Sequence, residues 1–302
     1  MIRNLVLSGG AVRTVAAVGC LKYLHDHKLL DHVTTIVGTS AGAILGFLMA
    51  LGNPPDKIVS LLKDVLIGKG YHRINFDELL QLNVWQSFGL DSGSGITNFL
   101  EDVLEKTLGC RDITFLDFTK KQGINFVVGV ANLSKQETEY MCVDETPDMS
   151  VVTAVRMSSS LPILFVPIRH SSGDLYIDGG LYETLPIGYI SKKFSYDMLR
   201  DTLAISTMRT NQNRDLSNLP SYLSALVGGL LSKVNENAKA ICLDKIKQKI
   251  RVFEVDGGEA ASVDLFCFDM ENLNFDIDCG RIDIAVQHGY NAMAKDIAEN
   301  LV

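Results

Sequence analysis

Basic runs are missing from this sequence, and no arginine-rich face interrupts its 28 Lys and Arg against 36 Asp and Glu. Phosphate neutralisation needs clustered cations, so a net charge of −8 argues against nucleic acid as a partner. The same acidic average leaves peripheral membrane contact open, because a local apolar or basic patch suffices to dock on lipid. Long apolar runs are absent too. The longest, 43–51 and 223–231, fall short of the about 20 residues a membrane-spanning helix requires. No apolar stretch with a cleavage site precedes the first strand-like run after Met1-Ile2-Arg3-Asn4, so no secretory signal is expected. Six cysteines (Cys20, Cys110, Cys142, Cys242, Cys267, Cys279) include no C-x-x-C pair, which argues against a zinc site or a redox motif. Four of them lie in apolar segments, as reduced, buried thiols do. The expectation is a cytoplasmic protein, with transient membrane association at most. No internal repeat, low-complexity tract or composition break marks a linker.

What is present is an ordinary globular balance: 47% apolar and 21% charged residues over 302 positions, enough for a sizeable core. Residues 5–7 read as a buried strand ended by Ser8-Gly9-Gly10, and apolar positions from 15 to 27 recur at helical spacing. A second such unit follows: a β-branched run at 33–37, a turn at 38–42, and an apolar helix at 43–51. Further along, helices are predicted from 55 to about 66, over 96–108 and over 151–159, with a loop at 91–95. Strands are predicted at 125–131, 139–143, 175–177 and 203–207. A long helical region is expected over 220–249, a hairpin around Asp256-Gly257-Gly258 between strands 251–255 and 263–268, and a last helix over 282–301. Strand and helix alternate throughout, which predicts one α/β domain with a largely parallel sheet.

Gly38-Thr39-Ser40-Ala41-Gly42 fits the G-x-S-x-G elbow. Between a β-branched strand and an apolar helix, such a turn holds the serine in a strained backbone and lifts its hydroxyl above the sheet. The flanking glycines let strand and helix pass closely. The N–H that follows, of Ala41, lies at a positive helix end suited to a developing oxyanion.

A serine hydroxyl needs a base. The histidines are His25, His27, His32, His72, His170 and His288; none falls at a convincing triad position, and His170 and His288 are the two to test. Asp178 offers a carboxylate instead. It closes a strand and is followed by Gly179-Gly180, at the carboxyl end of a sheet where ligand crevices form and where Ser40 is also expected. The Asp-Gly-Gly at Asp256 reads as a hairpin turn.

Ser8-Gly9-Gly10-Ala11-Val12-Arg13-Thr14 puts glycine N–H groups ahead of a helix, an anion nest. It lacks the Lys-Ser/Thr of a P-loop and the spacing of a dinucleotide fingerprint, so no nucleotide cofactor is indicated. Three roles fit Arg13: holding an anionic headgroup, ordering the loop, or lying solvated.

Together these segments resemble the patatin-like phospholipase family. The resemblance rests on Ser8-Gly9-Gly10-Ala11-Val12-Arg13, Gly38-Thr39-Ser40-Ala41-Gly42, Met157-Ser158-Ser159-Ser160-Leu161-Pro162 and Asp178-Gly179-Gly180, in that order. It implies a patatin-like, three-layer α/β/α single domain, with motifs within 5–190 and residues 191–302 completing the same domain without a signature. It implies a Ser40–Asp178 dyad without histidine or metal and with no cofactor. An acyl-enzyme would form on phospholipid or another acyl-ester lipid, with an oxyanion hole from the N–H groups of Gly9, Gly10 and Ala11. Arg13, Gly38, Ala41, Gly42, Gly179 and Gly180 would support the site. The chain departs from the family's Gly-Gly-Gly-x-Arg/Lys-Gly loop at Ala11 and Thr14, and carries Thr184 where asparagine is usual.

Two other readings compete with the dyad hydrolase. A Ser-His esterase or acyltransferase predicts an essential His170 or His288 and tolerance of Asp178→Asn. A lipid-sensing scaffold that lost catalysis would draw on the altered glycine loop. Segments 84–88 and 223–231 are candidates for an apolar rim that meets lipid, and fit core packing as well.

Overall fold

The computed structural model describes residues 1–10, 13–68, 88–195, 199–208, 229, 250–256 and 279–300. Along the chain run β1 (Asn4–Leu7), α1 (Thr14–Asp26), β2 (Thr35–Thr39), α2 (Ala41–Ala50) and α3 (Pro55–Lys63). Then come β3 (Gly89–Asp91), α4 (Ser94–Leu108), α5 (Phe115–Gln122), β4 (Asn125–Asn132), β5 (Glu137–Met141) and α6 (Val151–Ser158). The described chain ends with β6 (Ile163–Phe165), β7 (Ile168–Arg169), β8 (Leu175–Asp178), α7 (Ile187–Lys193), β9 (Thr202–Met208), β10 (Arg251–Asp256) and α8 (Cys279–Asn300).

The central sheet has the order β10-β9-β1-β2-β4-β8-β7, and β5 pairs with β4 outside that path. The five strands from β10 to β4 are parallel; β5, β7 and β8 are antiparallel additions. Side chains alternate across a strand, so Leu5 and Leu7 join Ile36, Phe126 and Val128 on one face. Val6 joins Val37, Val127 and Ala204 on the other. The first face is covered by α1, α2, α4, α5 and α6, and the second by Ile187, Tyr189 and Ile190 of α7. Strands covered on both faces read as continuous apolar runs, which is why 5–7 was visible in sequence, while the run expected at 33–37 forms its strand two residues later, at Thr35–Thr39.

The later strands β9 and β10 extend the sheet beyond β1. α8 crosses α1 at very close range. A Cβ on Gly19 would sit 1.9 Å from the Val286 carbonyl oxygen, and one on Gly289 would sit 1.9 Å from that of Ala16. Cys20 Sγ donates across this crossing to Gly289 O at 3.4 Å.

Several elements differ from expectation. The helix predicted to reach residue 66 is α-helical only to Lys63 and continues as a π-helical turn, Asp64–Gly68. β5 begins two residues earlier than expected, because its polar Glu137-Thr138-Glu139 segment pairs with β4 at a half-exposed edge and offers no apolar signal. β3 occupies the start of the predicted 91–95 loop. The strand ending at Asp256 pairs in parallel with β9. The other limb of the expected hairpin, nearly all of the 220–249 helical region and rim residues 84–87 lie outside the described residues.

Candidate active site

Ser40 stands between the last residue of β2 and the first of α2, with φ 56° and ψ −128°. Positive φ is strained for a residue bearing a Cβ. The surroundings enforce it. A Cβ on Gly42 would meet Leu7 O at 2.4 Å, and one on Gly38 would meet Gly42 O at 2.4 Å, so strand, turn and helix are pressed into contact that only glycine permits. The Ser40 N–H donates to Ser158 Oγ at 2.8 Å, and Ser158 Oγ–H donates to Gly129 O at 2.6 Å. Ser158 therefore ties the elbow to α6 and β4.

The Ser40 hydroxyl donates to Asp178 Oδ2 at 2.6 Å. Strand register brings the two together. β2 ends with Thr39 opposite Gly129, and β8, running the other way, ends with Asp178 opposite Val130. β5 occupies the opposite edge of β4 over Val128–Asn132, so β2 and β8 share one edge and meet end to end. Gly179 packs flat at this junction, where a Cβ would lie 2.3 Å from Gly129 O. The other carboxyl oxygen, Asp178 Oδ1, accepts from Gly180 N–H at 2.7 Å, and the Asp178 N–H donates to Ser160 O at 2.9 Å. Only 2% of Asp178 is exposed. Burial pushes its carboxyl up to about 6, against the lowering effect of the Ser40 and Gly180 hydrogen bonds.

The glycine loop lies beside this pair. A Cβ on Gly9 would touch Ser40 Cβ at 3.0 Å. The Gly9 N–H, expected to serve an oxyanion, instead donates to Thr184 O at 2.9 Å, so it is engaged within the protein. This is the structural place of Thr184, which sequence alone left without a role. Gly10 O accepts from Arg13 N–H at 3.1 Å, closing a turn into α1. Ala11 lies outside the described residues. Strand β9 pins the loop: Thr207 N–H donates to Ser8 Oγ at 2.8 Å and Thr207 Oγ1 donates to Gly9 O at 2.9 Å.

A cavity of about 140 Å³ opens from Ser40 and is walled by apolar side chains. Leu62, Val65 and Leu66 contribute from α3 and the π-helical turn, and Ile96 and Phe99 from α4; Phe165 contributes from β6. Val65 and Leu66, consecutive on the π-helical turn, both line it. Thr14, one of the departures in the glycine loop, lines the cavity near Ser40.

Among the described residues no histidine hydrogen-bonds to Ser40. His170 sits on the turn between β7 and β8, its Nδ1 3.3 Å from Ser172 Oγ, and His288 lies on α8. His25 and His27 belong to the end of α1, with His27 Nδ1 2.8 Å from Tyr23 O, and His72 lies outside the described residues. Among the described residues no cluster of His, Cys, Asp or Glu is arranged to hold a metal ion, and no helix is long and apolar enough to cross a membrane.

Ser158, Thr207 and the buried Arg156 escaped the sequence reading of individual roles. For Ser158 the signal was the serine run 158–160 at the end of an apolar helix; for Arg156 and Thr207 there was none.

Comparison with known proteins adds the following. The family model described as patatin-like phospholipase matches residues 5–190. Over 218 residues the chain is 33% identical to a protein named probable lipid hydrolase 463L of Invertebrate iridescent virus 6, covering 69% of this chain and 72% of that one. It is 31% identical over 219 residues to protein R571 of Acanthamoeba polyphaga mimivirus, covering 71% and 68%. The crystal structure of VipD from Legionella pneumophila shares the fold, with a TM-score of 0.54 at 17% identity, covering 99% of this chain and 67% of that one.

Proposed function

The chain belongs to the patatin-like phospholipase family, and we propose that it hydrolyses acyl esters of glycerolipids through a Ser40–Asp178 dyad. The observation that carries this reading is the 2.6 Å hydrogen bond from Ser40 Oγ to Asp178 Oδ2 at the mouth of an apolar cavity. With its carboxyl raised to about 6 by burial, Asp178 is a better proton acceptor than an ordinary aspartate and is still ionised at neutral pH.

In the first step Ser40 Oγ attacks the ester carbonyl carbon while its proton passes to Asp178 Oδ2. The carbonyl oxygen becomes an oxyanion. The candidate donors for it are the N–H groups of Gly10 and of Ala41, the latter at the N-terminal end of α2. Collapse of the tetrahedral species breaks the ester bond, and the departing alkoxide takes the proton from Asp178. Ser40 then carries the acyl group, whose chain occupies the cavity. Water attacks the acyl-enzyme, giving its proton to Asp178, and the fatty acid leaves as Oγ recovers a proton. The lipid hydrolase name of the viral relative supports the same substrate class.

A lipid-ester screen of wild type, Ser40→Ala and Asp178→Asn tests the proposal. Turnover by wild type with loss in both variants is expected. Equal turnover by all three rejects the dyad, and a fluorophosphonate probe that fails to label wild type at Ser40 favours a lipid-binding scaffold.

A further inference from the structure

Arg156 is 3% exposed, and its hydrogen bonds run to three main-chain carbonyls and one hydroxyl. Nε donates to Gly93 O at 3.2 Å, and Nη2 donates to Ser92 O at 2.8 Å and Val166 O at 3.1 Å. Nη1 donates to Ser160 Oγ at 2.5 Å. Burying a guanidinium is costly, and burial lowers this one to about 10, so it stays charged at neutral pH. The acceptors fall into two groups. Ser92 and Gly93 join β3 to α4, and Val166 follows β6; α4 and β6 supply Ile96, Phe99, Leu164 and Phe165 to the cavity wall. The guanidinium lies against Gly93, where a Cβ would come within 1.9 Å of Nη2, and 5.4 Å from the centre of the Phe165 ring. Ser160 belongs to the other group. Its carbonyl holds the Asp178 N–H, and it lies just beyond α6, whose Ser158 holds the Ser40 N–H.

We propose that Arg156 is a positioning residue that holds the acyl-cavity wall and the Ser40–Asp178 pair in one frame, so that discrimination between acyl chains depends on it. One side chain reaches both groups with a rigid fork of donors. Lysine keeps the charge but has no such fork. Arg156 touches neither Ser40 nor the carboxyl of Asp178. It acts through Ser160 on one side and through the Ser92, Gly93 and Val166 carbonyls on the other. The two arms are separable. Ser160→Ala removes the hydroxyl that Arg156 grips on the dyad side and leaves the carbonyl contacts on the wall side.

The inference rests on the hydrolase reading above. It is tested with p-nitrophenyl butyrate and p-nitrophenyl decanoate on wild type, Arg156→Lys and Ser160→Ala, with rates expressed per Ser40 site titrated by a fluorophosphonate. Ser160→Ala is expected to lower kcat about 10- to 100-fold on both esters, with KM unchanged. Arg156→Lys is expected to lower kcat and also to shift the decanoate-to-butyrate ratio of kcat/KM by about fivefold or more. A merely structural role would reduce the number of titratable sites and leave the rate per site and the ratio alone, which overturns the inference. If Arg156→Lys yields no folded protein, Ser160→Ala decides: unchanged kcat per site overturns the inference and the stated fall supports it. A wild type that neither labels at Ser40 nor cleaves either ester overturns the hydrolase reading and this inference with it. An active wild type with unaltered variants overturns only the role of Arg156.

Discussion

Ser158 stands between Ser40 and the sheet: its hydroxyl oxygen accepts the Ser40 N–H at 2.8 Å while its proton goes to Gly129 O at 2.6 Å. The bond braces a residue whose φ of 56° the chain would otherwise relax. Removing the hydroxyl leaves a buried N–H and a buried carbonyl each short of a partner. Such losses cost about 1–3 kcal/mol. Ser158→Ala is therefore expected to lower Tm and to reduce kcat about tenfold or more, with little change in KM. Thermal melting and steady-state kinetics check both. An unchanged kcat would mean that the elbow holds its shape without this brace.

The Asp178 carboxyl sets opposite pH trends for turnover and for stability. Its folded value of about 6 lies above the reference value of 3.8, and burial is the main cause. A raised carboxyl favours the protonated folded state. Its stabilising contribution is therefore complete below the unfolded value and is lost as pH rises through about 6. With Asp178 as the proposed base, turnover needs the ionised form and should rise over the same interval, with a midpoint near 6. Asp178→Asn should raise the unfolding free energy at pH 8 by on the order of 3 kcal/mol at most, read by chemical denaturation, and the gain should shrink toward pH 4. A kcat that stays flat between pH 5 and pH 7 speaks against Asp178 as the base.

At the crossing of α1 and α8, Gly289 admits the Ala16 carbonyl, and a methyl group there would overlap it. Gly289→Ala is expected to cost about 1–3 kcal/mol by forcing the helices apart. Ser40 lies outside this crossing, so the rate per fluorophosphonate-titrated site should hold near wild type at temperatures where the variant is folded. Chemical denaturation and active-site titration measure the two quantities. A stable Gly289→Ala protein would show that the helices reseat without penalty.

The legible parts of this fold were those where one short segment carries its own signal. The β-branched run 33–37, the turn 38–42 and the apolar run 43–51 announce strand, elbow and helix, and Ser40 sits where they predict. Asp178 was readable for a similar reason: a strand ending in Asp-Gly-Gly, with Gly180 N–H returning to its own carboxyl. Less visible was everything set by register or by distant main chain. No pattern near Gly9 says that its N–H is held by Thr184 O, or that Thr207, 198 residues away, grips its carbonyl. The polar Glu137–Met141 strand was misplaced by two residues because half-exposed pairing leaves no apolar alternation to follow. Arg156 reads as a surface charge on a short helix. Only the convergence of Ser92, Gly93 and Val166 carbonyls around it explains its burial.

The end-to-end meeting of β2 and β8 on one edge of β4 has a consequence in time. A growing polypeptide carries its alcohol 138 residues before it carries the carboxylate that accepts its hydrogen bond. Until the later strand has docked, the earlier one offers a hydroxyl with no partner. On the proposed dyad, an unfinished or half-folded copy would be inert toward lipid esters, and competence would arrive only when the second strand seats.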